Sequence, residues 1–195
     1  MNSLKQIVVA AGFLVLFSAE ASAERYLSMV NAQKICFSDA DRFESESMEL
    51  GKEQIKFLEK NTGSKMRGNV VSWVRAYRGT NLLGVVMADR VLGKHELIDY
   101  VVAVAPTGKV LHIEILEYRE HYGGQVREAK WRNQFKGKTA AAPLRLNEDI
   151  YNISGATISC RHVTEGVKRV LATYDLVLRP RLVISGQLPD SRETH

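Results

Sequence analysis

"LIDYVVAVAPTGKVLHIEILEY" (Leu97–Tyr118) decides the fold. Two runs rich in Val, Ile, Leu and Tyr stand on either side of Pro106-Thr107-Gly108-Lys109, a turn composition, so the stretch reads as two strands closed by a hairpin. In the second run Leu111, Ile113 and Ile115 fall on one face at a period of two, while His112 and Glu114 fall on the other. His112 is therefore read as a solvated strand residue rather than a catalytic one. Upstream, "NVVSWVRAYR" (Asn69–Arg78) and "LLGVVMADRVL" (Leu82–Leu92) have the same composition and predict two more strands.

Helices flank this block. "YLSMVNAQKICF" (Tyr26–Phe37) and "ELGKEQIKFLEKNTG" (Glu49–Gly63) read as helical, the second with Ile55 and Leu58 at helical spacing and Gly63 as its stop. The acidic segment between them, "SDADRFESESM" (Ser38–Met48), reads as an exposed connection. After the strands come a loop "REHYGGQVREA" (Arg119–Ala129), a short helical piece "KWRNQFKGK" (Lys130–Lys138), and a further loop to Tyr151. A helix from about Ile158 to Leu176 would bury Val163, Val167, Val170, Leu171 and Tyr174. Arg161–Glu165 and Glu165–Arg169 are i,i+4 pairs assigned to its outer face. The tail beyond Pro180 is a short apolar piece and then a polar end. Helices on both sides of a run of strands define an α+β fold with an antiparallel sheet. The expected organisation is one domain over residues 24–178 and a tail over 179–195.

The first 23 residues read as a targeting segment outside the fold. Lys5 is followed by an apolar run of 13 residues (Ile7–Ala19) and by Ala21-Ser22-Ala23, a small-x-small cleavage pattern. That run is short of the ~18–20 residues of a membrane span. The expectation is a signal peptide cleaved after Ala23, with no transmembrane segment in the mature chain and a periplasmic location.

The net charge of +5 comes from basic residues spread among acids, without a Lys or Arg run, so no nucleic-acid surface is expected. Two cysteines, Cys36 and Cys160, make no disulfide framework, and whether they pair stays open at this point. There is no CxxC or CxxCH and the five histidines are scattered, so no metal or haem site is expected.

The chemistry is carried by "NISGATISCRHVTEGVKRV" (Asn152–Val170), where a small-residue loop becomes a helix. A helix N-terminus offers unpaired N–H groups and a positive dipole end, and Gly155 and Ala156 let a ligand come close to the backbone. Ser154 or Thr157 is equally explained as an ordinary N-cap.

Ser154-Gly155-Ala156-Thr157 resembles the S-G-A-T signature of the FMN-binding domain family, found in flavin-carrying subunits of Rnf and sodium-pumping NADH:quinone oxidoreductase complexes and in related exported proteins. "EHYGG" (Glu120–Gly124) resembles that family's E-T-P-G-x-G loop, and "WRNQFKGK" (Trp131–Lys138) its W-x-x-Q-F-x-G-K segment, in the same order. The resemblance implies FMN held by a phosphoester bond to Thr157, made by a separate flavin transferase. It implies cofactor-binding roles for Ser154, Gly155, Ala156, Glu120, Tyr122, Gly123, Gly124 and Arg161, with no catalytic residue. Tyr122 would stack on the flavin or pack in the core, and His121 would tune the flavin or lie exposed. Trp131 and Phe135 are packing residues, and Arg161 and His162 are candidates to contact phosphate.

One departure stands out. Relatives often carry an acid six positions before the modified Thr; here that position is Tyr151, with Asp149 two residues further back. The function implied is an exported FMN carrier passing electrons to or from a membrane-bound redox subunit. The alternatives are a flavin-dependent reductase of a small exported acceptor and a flavin-free binding or regulatory module.

Overall fold

The four strands read from the sequence form the middle of a six-stranded antiparallel sheet in the computed structural model, which describes residues 24–119 and 123–189. They are β3 (Val70–Arg78), β4 (Asn81–Leu92), β5 (Leu97–Val104) and β6 (Val110–Tyr118). Two further strands, β1 (Glu24–Arg25) and β2 (Arg42–Glu49), close the edges in the order β1-β6-β5-β4-β3-β2.

Most of the segment expected as an exposed connection, Ser38–Met48, is the edge strand β2, paired along its length with β3. Its charges belong to that pairing. Glu44 lies 3.1 Å from Arg75 on β3, and Glu46 pairs with the same guanidinium. Charge along an outermost strand also discourages pairing with another chain.

β5 is buried on both faces, which explains its almost continuous apolar sequence. On one face Ile98, Tyr100, Val102 and Val104 join Val85, Met87, Ile113 and Ile115 beneath helix α4 (Thr157–Thr173). On the other, Val101, Ala103 and Val86 meet Ala32, Cys36 and Phe37 at helix α1 (Met29–Cys36). Leu111 does not share the face of Ile113 and Ile115. The register shifts beside Ala103, where Ala103 faces His112 and Val104 faces Val110, so Leu111 is the extra residue of a bulge and packs with the α1 cluster. His112 is half-buried, and burial together with the Lys136 cation lowers its pKa.

The cysteines lie in clusters on opposite faces of the sheet, Cys36 with α1 and Cys160 with α4, and both are free thiols. Burial pushes the Cys36 thiol up to about 12.

Helix α2 (Lys52–Thr62) ends at Gly63 in the left-handed region and packs Leu58 with Ala172 and Val177. α4 buries every residue expected of it. Beyond Thr173 the helical path continues through a wider π turn (Tyr174–Leu178) into α5 (Arg179–Ile184), past the expected end at Leu176. Pro180 sits at the start of α5, directly after the wider π turn.

The expected surface pair Glu165–Arg169 does not form. Arg169 is 4% exposed, and its guanidinium lies 2.5 Å from Asp89 on β4 and 2.7 Å from Ser64 Oγ. Tyr100 donates to the same Asp89 at 2.6 Å, and burial with that neighbour raises its phenol pKa well above the ordinary value. Among the described residues no helix is long and apolar enough to cross a membrane. The expected signal peptide lies outside the described residues.

Candidate functional site at the start of helix α4

The chain enters α4 through an exposed turn at Ser154-Gly155, where Gly155 has φ 83° with open space around it. Ala156 follows at the N-cap, buried, with no side-chain hydrogen bond to the first turn. Neither Ser154 nor Thr157 is therefore the cap. Thr157 is the first helical residue, half-buried, and its Oγ1 accepts a hydrogen bond of 3.0 Å from Asn152 Nδ2. The leading N–H groups of α4 thus have no capping side chain, at the positive end of a 17-residue helix.

A clamp from the Trp131 segment fixes the approach to this turn. Helix α3 (Ala129–Arg132) and the 3-10 turn after it (Asn133–Phe135) bury Trp131 and Phe135 edge-to-face, 5.2 Å between centroids. Trp131 Nε1 donates to the Tyr151 carbonyl at 2.8 Å, and the Tyr151 N–H donates to Gln134 Oε1 at 2.6 Å. Gln134 Nε2 in turn donates to the Trp131 carbonyl at 3.1 Å. Both backbone groups of Tyr151 are held while its side chain remains 81% exposed.

Asp149 is committed within its own loop. It accepts from Lys138 Nζ at 3.0 Å and from the N–H groups of Arg145 at 2.8 Å and Leu144 at 3.2 Å. Burial works against its charge, yet these donors hold the carboxyl below its usual range. It makes no hydrogen bond to Thr157.

The glycine loop reaches the same place. Gly123 has φ 79°, and a Cβ there would sit 2.9 Å from Tyr118 Oη, 3.2 Å from Ser159 Oγ and 3.4 Å from Ala156 Cα. Only glycine fits both that backbone and that space. Tyr118 Oη and Ser159 Oγ, 3.2 Å apart and buried, tie the end of β6 to the first turn of α4. The Gly124 carbonyl accepts from Arg127 Nε at 3.0 Å. Glu120, His121 and Tyr122 lie outside the described residues.

Arg161 is exposed one turn into α4. His162 is half-buried and its Nδ1 is hydrogen-bonded to the Leu92 carbonyl at the end of β4. The structure therefore brings together Ser154, Gly155, Ala156, Thr157, Gly123 and Gly124, leaves Arg161 exposed beside them and ties one ring nitrogen of His162 to the end of β4. Sequence reading missed Gln134, Asn152 and the Tyr118–Ser159 contact. Gln134 was visible inside its motif; nothing in the sequence marked the other three.

These residues fit the phosphate end of a flavin nucleotide. They offer a hydroxyl, N–H groups without a capping side chain, and neighbours too small to block approach.

Residues 93–172 match the FMN-binding domain family, the stretch from the β4–β5 connection through nearly all of α4. All three motifs quoted from the sequence fall within that stretch. The chain is 26% identical over 173 residues to one component of a proton-translocating ferredoxin:NAD(+) oxidoreductase complex from Clostridium ljungdahlii, covering 85% of this chain and 81% of that one. Its fold is shared with Shewanella oneidensis NqrC, at a TM-score of 0.56 and 17% identity over 79% of this chain and 89% of that one. It is also shared with a component of the Na(+)-translocating NADH-quinone reductase from Parabacteroides distasonis, at a TM-score of 0.50 and 16% identity over 76% and 83% of the two chains.

Proposed function

We propose that this chain is an exported FMN-carrying electron-transfer subunit, released by cleavage after Ala23, with the flavin phosphoester-linked to Thr157. The observation that supports it is convergence. Three motifs separate in sequence meet at the start of α4: Gly123 packs on Ala156, Trp131 and Gln134 hold Tyr151, and Thr157 stands first in the helix.

Each residue has a task in this reading. The Thr157 hydroxyl supplies the ester oxygen. The leading N–H groups of α4 stabilise the remaining phosphate charge, and Ser154 and Gly155 leave room for the transferase that makes the bond. When bound, FMN supplies one- and two-electron transfer, while the protein supplies position and electrostatics. A covalent tether suits an exported protein, because a dissociated flavin would be lost. The chain acts as a carrier between redox partners, one of them a membrane-bound redox subunit of the kind found in complexes such as those of its relatives.

The test compares wild type with Thr157→Ala, both exported from cells that make a flavin transferase. Flavin absorbance that stays with wild-type protein after acid unfolding, and is absent from the variant, is the expected result. Flavin released on unfolding would mean binding without the ester, and would direct attention to Tyr151. Colourless wild-type protein would overturn the flavoprotein reading.

A further inference from the structure

Thr157 and its neighbours raise a question of chemistry. To form the ester, Oγ1 must present a lone pair to phosphorus and lose its proton. In the present structure one lone pair is already committed, because Asn152 Nδ2 donates to Oγ1 at 3.0 Å. An amide N–H has no acceptor capacity, so the hydroxyl proton does not point at Asn152 Nδ2. The remaining lone pair and the O–H are turned to the other sides of the oxygen.

Asn152 is itself well placed to impose this order. The residue before it has both backbone groups fixed by Trp131 and Gln134, and the residues after it turn through Ser154-Gly155 into the helix. Its side chain is exposed and has no packing role in the core. Among the described residues, no carboxylate or imidazole is hydrogen-bonded to Thr157, and Asp149 is held by Lys138, Leu144 and Arg145.

On the reading that Thr157 carries the flavin, we propose that Asn152 is the positioning residue for esterification. It fixes the rotamer of Thr157 and stabilises the negative charge that grows on Oγ1. In the step, the Oγ1–P bond forms while the P–O bond to a leaving nucleoside monophosphate breaks. The donor is a flavin dinucleotide, and the leaving group departs with the bonding electron pair. The hydroxyl proton passes to a base of the transferase, since the hydrogen bonds described around Thr157 offer none. No electrons are exchanged.

The experiment follows attachment by intact mass over time, using the full-length mature chain, purified flavin transferase and flavin dinucleotide. It compares wild type, Asn152→Ala and Asn152→Asp across a pH series. Loss of one oriented hydrogen bond should slow the maximal rate of Asn152→Ala by about tenfold, with an unchanged half-saturating transferase concentration and an unchanged Tm. Asn152→Asp reverses the polarity of the contact by accepting the hydroxyl proton. Above the carboxylate range its rate should fall at least as far as that of Asn152→Ala, because an acceptor beside Oγ1 opposes the charge the amide stabilises, and it should rise again only as that carboxylate is protonated. Attachment to Asn152→Ala at the wild-type rate would overturn the inference alone. So would a defect cured by more transferase, which would make Asn152 a docking contact. A wild type that gains no mass would overturn the attachment itself, and this inference with it.

Discussion

Helix α4 is built in two ways along its length. Its body, from Val163 to Tyr174, lies on the sheet with Val163, Val167, Leu171 and Tyr174 almost wholly buried, and its only buried charge, Arg169, is neutralised by Asp89. Its start, from Ser154 to Ile158, is exposed at Ser154, Gly155 and Ile158, has no side-chain cap, and is positioned by polar contacts to Tyr151 and Thr157 and by one buried residue, Ala156. The body anchors; the start is left open. A helix needs four orphan N–H groups satisfied at its N-terminus, and leaving them open is tolerable only where the rest of the helix is firmly packed.

Substitutions should separate the two parts. Arg169→Met takes the paired cation from the part-buried Asp89, leaving the Tyr100 hydroxyl as its donor, and should cost about 3 kcal/mol in urea unfolding. Adding Asp89→Leu should recover only part of that loss, because the fully buried Tyr100 hydroxyl then loses its acceptor. Gly166→Ala comes next. Its new Cβ would run into Tyr100 Oη, at the tip of a fully buried ring held by Asp89, so the loss should be about 1–3 kcal/mol by overpacking.

At the start the effects should shrink. Trp131→Phe removes the donor to the Tyr151 carbonyl while keeping the ring contact with Phe135, and should cost about 1 kcal/mol. Thr157→Ala should stay within about 0.5 kcal/mol of wild type, since its hydroxyl supports no core contact. A large stability loss in Thr157→Ala would break the comparison, because the start would then be structural.

Asp149 adds a pH signature to the loop that feeds this start. Its folded pKa lies below the unfolded value of about 3.9, so its carboxylate stabilises the fold above that pH. The contribution disappears as pH falls through the lowered native value. Asp149→Asn should therefore narrow the Tm gap to wild type as pH drops below about 4, with a constant gap at higher pH. A gap unchanged down to about pH 2.5 would mean that the donors around Asp149 do not select its charged form.

The sequence disclosed the parts of this architecture whose signal is local. The central strands announced themselves because burial on one or both faces demands Val, Ile and Leu at nearly every position, and the α4 body because its apolar residues repeat at the helical period. β2 stayed hidden because an edge strand facing solvent is free to be Glu-Ser-Glu-Ser; what makes it a strand is Arg75, about thirty residues away. Leu111 was assigned to the wrong face because a bulge breaks the period of two without marking the sequence. Arg169 read as a surface partner of Glu165 because helical spacing says which residues are neighbours and not which face meets a buried Asp89. At the site, Thr157 and the glycines were legible through motif chemistry. Asn152 was not, since a lone Asn before a turn has a dozen ordinary explanations.

The most direct test of the central claim is the mass of the tryptic peptide Leu146–Arg161 from exported protein made with a flavin transferase. The peptide carries three hydroxyls of interest, Ser154, Thr157 and Ser159, so fragmentation distinguishes them. The account predicts a gain of one FMN less one water, placed by fragmentation on Thr157 and absent from Thr157→Ala. An unmodified peptide from colourless protein, or the same gain placed on Ser154 or Ser159, would contradict it.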